Sequence, residues 1–240
     1  MSEVRFTLDG REITAARGET ILMAARRAGA RIPHLCYADG MRPDGNCRAC
    51  VVEIDGERVL APSCCREPAE GMTVHADSAR ARRSQRMVLE LLLADVSAQT
   101  YRHDSELAHW ARELALGAPR FEARRQPPPD YSHPAIAVRL DACIQCTRCV
   151  RACREVQVND VIGYAGRGAA ARIVFDTELP MGESTCVACG ECVQACPTGA
   201  LMPAGVGAED TPPVAAAEQG KWYGPHRTEL RPGAANGTAP

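Results

Sequence analysis

The spacing of apolar residues predicts a strand, a turn, a second strand and a helix at the start of the chain. Apolar and polar positions alternate over residues 4–8, the Asp-Gly pair at 9–10 favours a tight turn, and Ile13 marks the returning strand. Thr20 then precedes apolar residues at helical spacing, which predicts a capped helix that ends at Gly29. This segment therefore predicts a hairpin followed by one amphipathic helix.

The pattern continues with further short elements. A second hairpin is predicted over residues 51–59, turning at an Asp-Gly pair, and a last strand at 72–74. Helical spacing predicts one helix capped by Ser78 and another over residues 105–116, and residues 172–175 are typical of a short strand. Mixed strands and helices of this kind indicate the α+β class.

Four cysteines in the N-terminal third have the spacing of a binuclear iron–sulfur site. One isolated cysteine, a close pair and a distant fourth follow the general plan of a [2Fe–2S] ferredoxin loop. They are Cys36, Cys47, Cys50 and Cys64. The neighbouring Cys65 is left over and is interpreted as a packed or partly exposed thiol, and His34 as structural because no second histidine has the spacing of a Rieske site.

Two later runs of cysteines have the spacing C-x2-C-x2-C-x3-C. The first three cysteines of such a run bind one [4Fe–4S] cube, and the fourth binds the cube of the other run. The expected ligands are Cys143, Cys146, Cys149 and Cys196 for the first cube, and Cys186, Cys189, Cys192 and Cys153 for the second. Structural zinc is the alternative, but zinc favours two short ligand pairs closing one tetrahedron.

Composition limits the other functions. A net charge of −2 and the lack of a sustained basic stripe argue against nucleic acid as the main partner. The chain starts without an apolar signal core and contains no apolar stretch long enough to span a membrane. Its 13 cysteines therefore indicate metal ligands in a reducing, cytoplasmic setting instead of a secreted disulfide scaffold.

Several segments around the cube motifs resemble a known family of iron–sulfur proteins. The order of modules is similar to the large iron–sulfur subunit of complex I, to the diaphorase subunit of bidirectional hydrogenases and to the N-terminal part of the α subunit of NAD-dependent molybdenum formate dehydrogenase. The segments most similar to the formate dehydrogenase are 132–136, 140–146, 154–163 and 184–192. This resemblance covers residues 4–203 and implies a β-grasp ferredoxin domain followed by a bacterial-type ferredoxin domain with two [4Fe–4S] clusters.

The chain departs from that family in two ways. Most members carry a His-x3-Cys-x2-Cys-x5-Cys site between the modules, whereas residues 86–126 contain no cysteine, and His103 and His109 are interpreted as surface or packing residues. The molybdopterin-binding region of the formate dehydrogenase is also missing from this sequence, which has no cysteine after Cys196. We therefore expect no catalytic residues in this chain.

The sequence predicts an electron-transfer subunit with three clusters. The expected divisions are a [2Fe–2S] domain at 1–78, a helical connector at 79–130, a two-cube domain at 131–205 and a disordered tail at 206–240. The resemblance implies a flavoprotein partner that handles NAD and a molybdenum or tungsten catalytic partner, with no nucleic acid and no membrane span. Two alternatives stay open: a subunit of a hydrogenase diaphorase or of a complex I-like NADH dehydrogenase, and a redox sensor or assembly protein holding labile clusters.

Overall fold

A computed structural model describes residues 3–96 and 105–205 of the chain. The expected tail at 206–240 and His103 lie outside the described residues. The elements fall into an N-terminal sheet with one helix, two connecting helices, and a C-terminal part built from two small hairpin-like sheets and short helices.

A five-stranded mixed sheet forms the N-terminal part, with strand order β2-β1-β5-β3-β4. Its strands are β1 Val4–Leu8, β2 Arg11–Ala15, β3 Val51–Ile54, β4 Ala61–Pro62 and β5 Thr73–His75. β1 pairs antiparallel with β2 and parallel with β5, and this parallel pairing places β5 between β1 and β3. The predicted first hairpin and last strand are therefore confirmed.

The helix α1, Ile21–Arg27, packs its apolar side on this sheet. The Thr20 hydroxyl accepts a hydrogen bond from the Met23 amide at 3.3 Å, as expected for a helix cap. Ile21 and Leu22 are fully buried with Phe6 and Val52 from the strands. These residues give the N-terminal part a conventional apolar core, to which Cys50 and Cys64 also belong.

The second hairpin differs from its prediction. β3 pairs with Ala61–Pro62 instead of with residues 57–59, and Val59 is 59% exposed. Alternating apolar residues predicted the strand β3 correctly but placed its partner too early. Cys64 lies two residues after the actual partner β4, so this later register determines where the fourth cysteine of the first motif lies.

Two helices connect the halves of the molecule: α2, Ala79–Asp95, and α3, Glu106–Glu113. Ser78 and Ser105 cap them by accepting hydrogen bonds from Ala81 and Ala108, at 3.1 and 3.4 Å. Leu89 of α2 and Leu107 and Trp110 of α3 share an apolar cluster with Cys36 and Cys146. The connecting helices therefore pack against both cysteine-rich regions.

The C-terminal part consists of short elements around the two cysteine runs. Its strands are β6 Ile136–Val138, β7 Ile162–Ala165, β8 Arg172–Phe175 and β9 Leu201–Pro203; its α-helices are α4 Arg148–Arg151 and α5 Glu191–Ala195. β6 pairs with β9 and β7 pairs with β8. Short 3-10 segments lie at Leu140–Ala142, Gly168–Ala170 and Met181–Glu183, and a π-helical turn, Ala152–Val156, continues α4.

Candidate iron–sulfur sites

A loop between α1 and β3 brings the first four cysteines together. Cys36, Cys47 and Cys50 lie in this loop, and Cys64 follows β4. The Cys36 amide donates to the Cys47 sulfur at 3.4 Å. The Cys36 thiol is hydrogen-bonded to Cys47 and Cys64, and the Cys50 thiol is hydrogen-bonded to Cys64. The four sulfur atoms therefore converge at one place.

The backbone of this loop reaches the sulfurs because it adopts left-handed conformations. Gly45 has φ of 67° and Arg48 has φ of 58°. A Cβ atom on Gly45 would lie 2.8 Å from the Cys65 sulfur, so a larger residue would force Cys65 away. The amides of Cys47 and Ala49 donate to cysteine sulfurs, as expected for a loop that surrounds a cluster.

The electrostatics of the loop suit metal-bound sulfur. A hydrogen bond to Cys36, together with burial, raises the pKa of Cys47 above its ordinary value. Hydrogen bonds from Cys47 and Cys64 lower the pKa of Cys36, and the positive charge of Arg151 acts in the same direction. Four converging sulfurs in a largely buried loop are the donor set of a [2Fe–2S] cluster, so these residues fit the group.

Cys143, Cys146, Cys149 and Cys196 line one small cavity. Its apolar walls are formed by Leu140, Ile144, Ile173, Ala200 and Leu201. The helix α4 carries Cys149, and Cys196 directly follows α5, so packing of α4 against α5 brings the fourth sulfur to the first three. Burial raises the pKa of Cys143 to about 11 and that of Cys149 well above its ordinary value. Burial thus favours the protonated thiols, and bound iron would supply the positive charge that favours the thiolates.

Cys186, Cys189, Cys192 and Cys153 form the second group. The first two lie in the loop before α5, Cys192 lies in α5, and Cys153 lies in the π-helical turn that packs against α5. Burial raises the pKa of Cys192 to about 12, and the nearby sulfurs of the other three act in the same direction. The fourth sulfur of each run therefore lies beside the first three of the other run.

The two cysteine loops have matching backbone geometry. The Gln145 amide donates to the Cys143 sulfur and the Ala188 amide donates to the Cys186 sulfur, both at 3.4 Å. Left-handed residues precede both helices, with Thr147 at φ 59° before α4 and Gly190 at φ 82° before α5. The two runs thus have matching loop geometry as well as the same cysteine spacing.

In the described ranges 3–96 and 105–205, no group of three or more His, Cys, Asp or Glu side chains could hold a single metal ion. Sulfur ligands of a cube surround four iron atoms and are separated by the width of the cube, so they need not converge as the ligands of one ion do. The absence of such a group among the described residues is therefore compatible with cubes at the two later cysteine groups.

The two cube sites differ in their access to solvent. Cys146, Cys149 and Cys196 are buried, whereas Cys189 is exposed and Cys186 is half-buried. Val187, between them, is 56% exposed. The first group, in which Cys143 is half-buried, is thus less exposed than the second, in which Cys153 and Cys192 are buried.

Residues outside the three groups have ordinary contacts. The Nδ1 atom of His34 lies 2.8 Å from the Ile32 carbonyl, and the ring packs against Tyr37 and Trp110. The Nε2 atom of His109 lies 3.0 Å from an Arg31 guanidinium nitrogen. Cys65 is exposed, and its sulfur lies 3.6 Å from the Cys64 sulfur.

Comparisons with known proteins agree with the division into two ferredoxin-type parts. Residues 1–79 match the family described as 2Fe-2S iron-sulfur cluster binding domain, and residues 133–202 match NADH-quinone oxidoreductase subunit 3, ferredoxin-like domain. The chain is 36% identical over 219 residues to the NADP-reducing hydrogenase subunit HndD of Solidesulfovibrio fructosivorans, which covers 84% of this chain and 36% of that protein. It is 29% identical over 201 residues to a putative formate dehydrogenase of Staphylococcus haemolyticus, which covers 82% of this chain and 20% of that protein.

A solved structure matches over nearly its whole length. The crystal structure of an NAD⁺-reducing [NiFe]-hydrogenase in the H₂-reduced state contains a chain that is 32% identical, with a TM-score of 0.79, covering 88% of this chain and 91% of that one. The chain belongs to the iron–sulfur protein family of NAD-linked oxidoreductases. Relatives named as hydrogenases and as formate dehydrogenases both match, so the predicted family is confirmed and the particular resemblance to formate dehydrogenase stays a prediction.

The chain spans about a third or less of the two curated family members compared above. In the part of the chain that the structure describes, no helix is both long enough and apolar enough to cross a bilayer.

Polar contacts join the two ferredoxin-type parts of this family member. Thr147, between two cysteines of the candidate site for the first cube, donates to the Asp44 carboxylate at 2.6 Å and accepts from the Asn46 side chain at 3.0 Å. Arg148, in α4, donates to both oxygens of Glu106 at 2.8 Å and to the Leu35 carbonyl at 3.3 Å. The loop of the binuclear site and the loop of the first cube site are therefore in direct contact.

Sequence reasoning did not identify the arginines at this interface. Arg148 and Arg151 are buried, at 8% and 4% exposed, although arginine is rarely buried in proteins. Their position flanking Cys149 in the first run was the available signal. A charged residue on each side of a buried cysteine indicates that polar groups lie nearby to pair with the charges. Here those groups are backbone carbonyls of the N-terminal loop.

A substitution of Cys153 tests the crossed arrangement of ligands. We expect Cys153→Ser to lose the cube held by Cys186, Cys189 and Cys192 and to keep the other, because its sulfur faces Cys192. Iron should fall from about ten to about six atoms per chain, as measured by iron analysis and Mössbauer spectroscopy. Cys65→Ser is the control and should keep all the iron. Loss of the cube at Cys143, Cys146 and Cys149 would contradict the crossed assignment.

Proposed function

We propose that the chain is an electron-transfer subunit that holds one [2Fe–2S] cluster and two [4Fe–4S] clusters. The binuclear cluster would be bound by Cys36, Cys47, Cys50 and Cys64; the first cube by Cys143, Cys146, Cys149 and Cys196; the second by Cys186, Cys189, Cys192 and Cys153. When bound, such clusters supply reversible one-electron oxidation and reduction.

The observation that carries this proposal is the contact between successive sites. Cys36 and Cys146, from the binuclear and first cube groups, belong to one buried apolar cluster with Ile144 and Leu107. The two cube groups share the packed pair of helices α4 and α5. These contacts support electron transfer from the binuclear group to the first cube group and from there to the second, or in the reverse direction.

The remaining residues support this relay by fixing positions and excluding water. Leu140, Ile144, Ile173 and Leu201 enclose the first cube site in apolar side chains. The Asp44–Thr147 hydrogen bond holds the two loops in register. A low dielectric and fixed amides around the sulfurs are the means by which proteins set cluster potentials.

The proposed partners are a flavoprotein that handles NAD and a catalytic subunit. The chain is 32% identical to a chain of an NAD⁺-reducing [NiFe]-hydrogenase and 36% identical to an NADP-reducing hydrogenase subunit, so a hydrogenase diaphorase is the best-supported setting. A molybdenum or tungsten formate dehydrogenase is the second candidate, because a relative named as a putative formate dehydrogenase matches 82% of this chain. The sulfur ligands require a reducing compartment, so we place the complex in the cytoplasm.

Affinity purification of the tagged chain from its native host, without oxygen, tests this proposal. We expect about ten iron and ten sulfide per chain, and a flavoprotein that co-purifies. Nickel in the complex would identify a hydrogenase, and molybdenum or tungsten a formate dehydrogenase. With NADH as reductant, the complex should reduce a dye, and Cys50→Ser should slow this transfer. Stoichiometric zinc without sulfide would exclude the proposal, and clusters with no partner and no turnover would favour a redox sensor.

A further inference from the structure

Arg151 is buried where the binuclear site and the first cube site meet. One terminal nitrogen of its guanidinium donates to the Arg42 carbonyl at 2.6 Å. The other donates to the Cys36 carbonyl and lies 3.5 Å from the Cys146 carbonyl. A single side chain therefore contacts one proposed ligand residue of each of two different sites.

The charge on Arg151 has no protein counter-ion in the described ranges. Arg148, one helical turn earlier, is paired with the Glu106 carboxylate. Arg151 contacts only carbonyl oxygens, and its buried Nε–H has no hydrogen-bond partner among the described residues. A guanidinium that is 96% buried is costly unless a negative charge is close. The proposed metal clusters on either side of Arg151 would supply that negative charge.

We propose that Arg151 is the shared positive charge between the binuclear cluster and the first cube, and that it raises the reduction potentials of both. This inference rests on the cluster assignment proposed above. A cluster with four thiolate ligands is negatively charged, and reduction adds a further negative charge. A fixed cation in a low-dielectric interior stabilises that added charge at each neighbouring site. Arg151 is a positioning residue, since it contacts backbone carbonyls of the ligand residues.

The geometry predicts which sites respond. The side-chain hydrogen bonds of Arg151 in the described ranges go to Arg42, Cys36 and Cys146, on the side of the binuclear and first cube sites. None reaches a member of the second cube group. Loss of the charge should therefore shift the reduction potentials of the binuclear cluster and the first cube strongly. The potential of the second cube should shift least.

Redox titration of the purified protein, monitored by electron paramagnetic resonance, tests this inference. For Arg151→Gln we expect reduction of the binuclear cluster and of the first cube to become at least tenfold less favourable, about 59 mV more negative for one electron. The control is Arg154→Gln, from the same turn, whose exposed side chain pairs with Asp160 at 2.7 Å. It should leave both of those potentials unchanged.

A second variant separates charge from packing. Arg151→Lys keeps the positive charge but loses the guanidinium fork, so its potentials should lie closer to the wild type than those of Arg151→Gln. If Arg151→Gln fails to retain iron, retention of iron and potentials by Arg151→Lys supports the charge role. Equal downward shifts in both variants, or full iron content with unchanged potentials in Arg151→Gln, would overturn it. Absence of iron and sulfide from the wild type would instead refute the cluster assignment.

Discussion

Removal of iron by a chelator under reducing conditions is expected to unfold the C-terminal part, residues 131–205, and to leave the N-terminal sheet folded. The apolar core of the C-terminal part includes four proposed ligands: Cys149, Cys153, Cys192 and Cys196. Its α-helices have four and five residues and its strands have three or four, so they have little stability of their own. When ligand binding is coupled to folding, loss of the metal removes folding free energy directly.

The N-terminal sheet should behave differently because aliphatic and aromatic side chains make up most of its core, which also contains two proposed ligands, Cys50 and Cys64. Phe6, Ile21, Leu22 and Val74 are at most 1% exposed and pack together between the sheet and α1. Hydrogen exchange followed by mass spectrometry measures both parts in one sample. We expect amides of 131–205 to lose protection after chelation, and those of β1, β3 and β5 to keep it. Retained protection throughout 131–205 in iron-free protein would show that metal is not needed for this fold.

Leu89→Ala is expected to destabilise the protein by about 2–5 kcal/mol, since it removes a fully buried side chain and leaves a cavity. Leu89 lies in α2 within the cluster that contains Leu35, Cys36, Ala49, Leu107 and Ile144. The cavity would therefore form between the connecting helices and two cysteine loops. Urea denaturation of the iron-loaded protein without oxygen measures the loss in free energy of unfolding.

Leu91→Ala is the matched control for that measurement. Leu91 lies in the same helix and is 46% exposed, so the same chemical change there should alter stability by less than about 0.5 kcal/mol. Because the helix propensities of leucine and alanine enter both variants equally, the difference between them reports burial alone. Equal effects at the two positions would mean that α2 is not anchored through Leu89.

Local patterns in the sequence predicted much of the fold. The alternation over residues 4–8 and the caps at Thr20, Ser78 and Ser105 depend on neighbours close in the chain, and the structure confirms them. The partner of β3 depends on how the chain between β3 and β5 folds back, so its register could not be derived from local alternation. Val59 continued the apolar alternation but is exposed, which is why the hairpin was placed too early.

The candidate sites were predictable to a similar degree. Spacing alone selected the twelve cysteines that the structure gathers into three groups, because the loop lengths between ligands are limited by the size of the metal group. The contact of Asp44 with Thr147 joins residues far apart in sequence. No periodicity encodes such a contact, so the order of the sites and the buried arginines appear only in the folded structure.

The placement of Cys196 beside the first run has a consequence for synthesis of the protein. A ribosome adds about 5–20 residues per second, so the thiols at Cys143, Cys146 and Cys149 emerge seconds before the cysteine that completes their group. Cys153 is likewise translated before the run that begins at Cys186, which supplies the rest of its group. Neither cube site is whole on a nascent chain until nearly all of the C-terminal part has been translated. Insertion of the proposed cubes therefore cannot be completed before Cys192 and Cys196 have been translated, whereas the N-terminal loop completes its four cysteines much earlier.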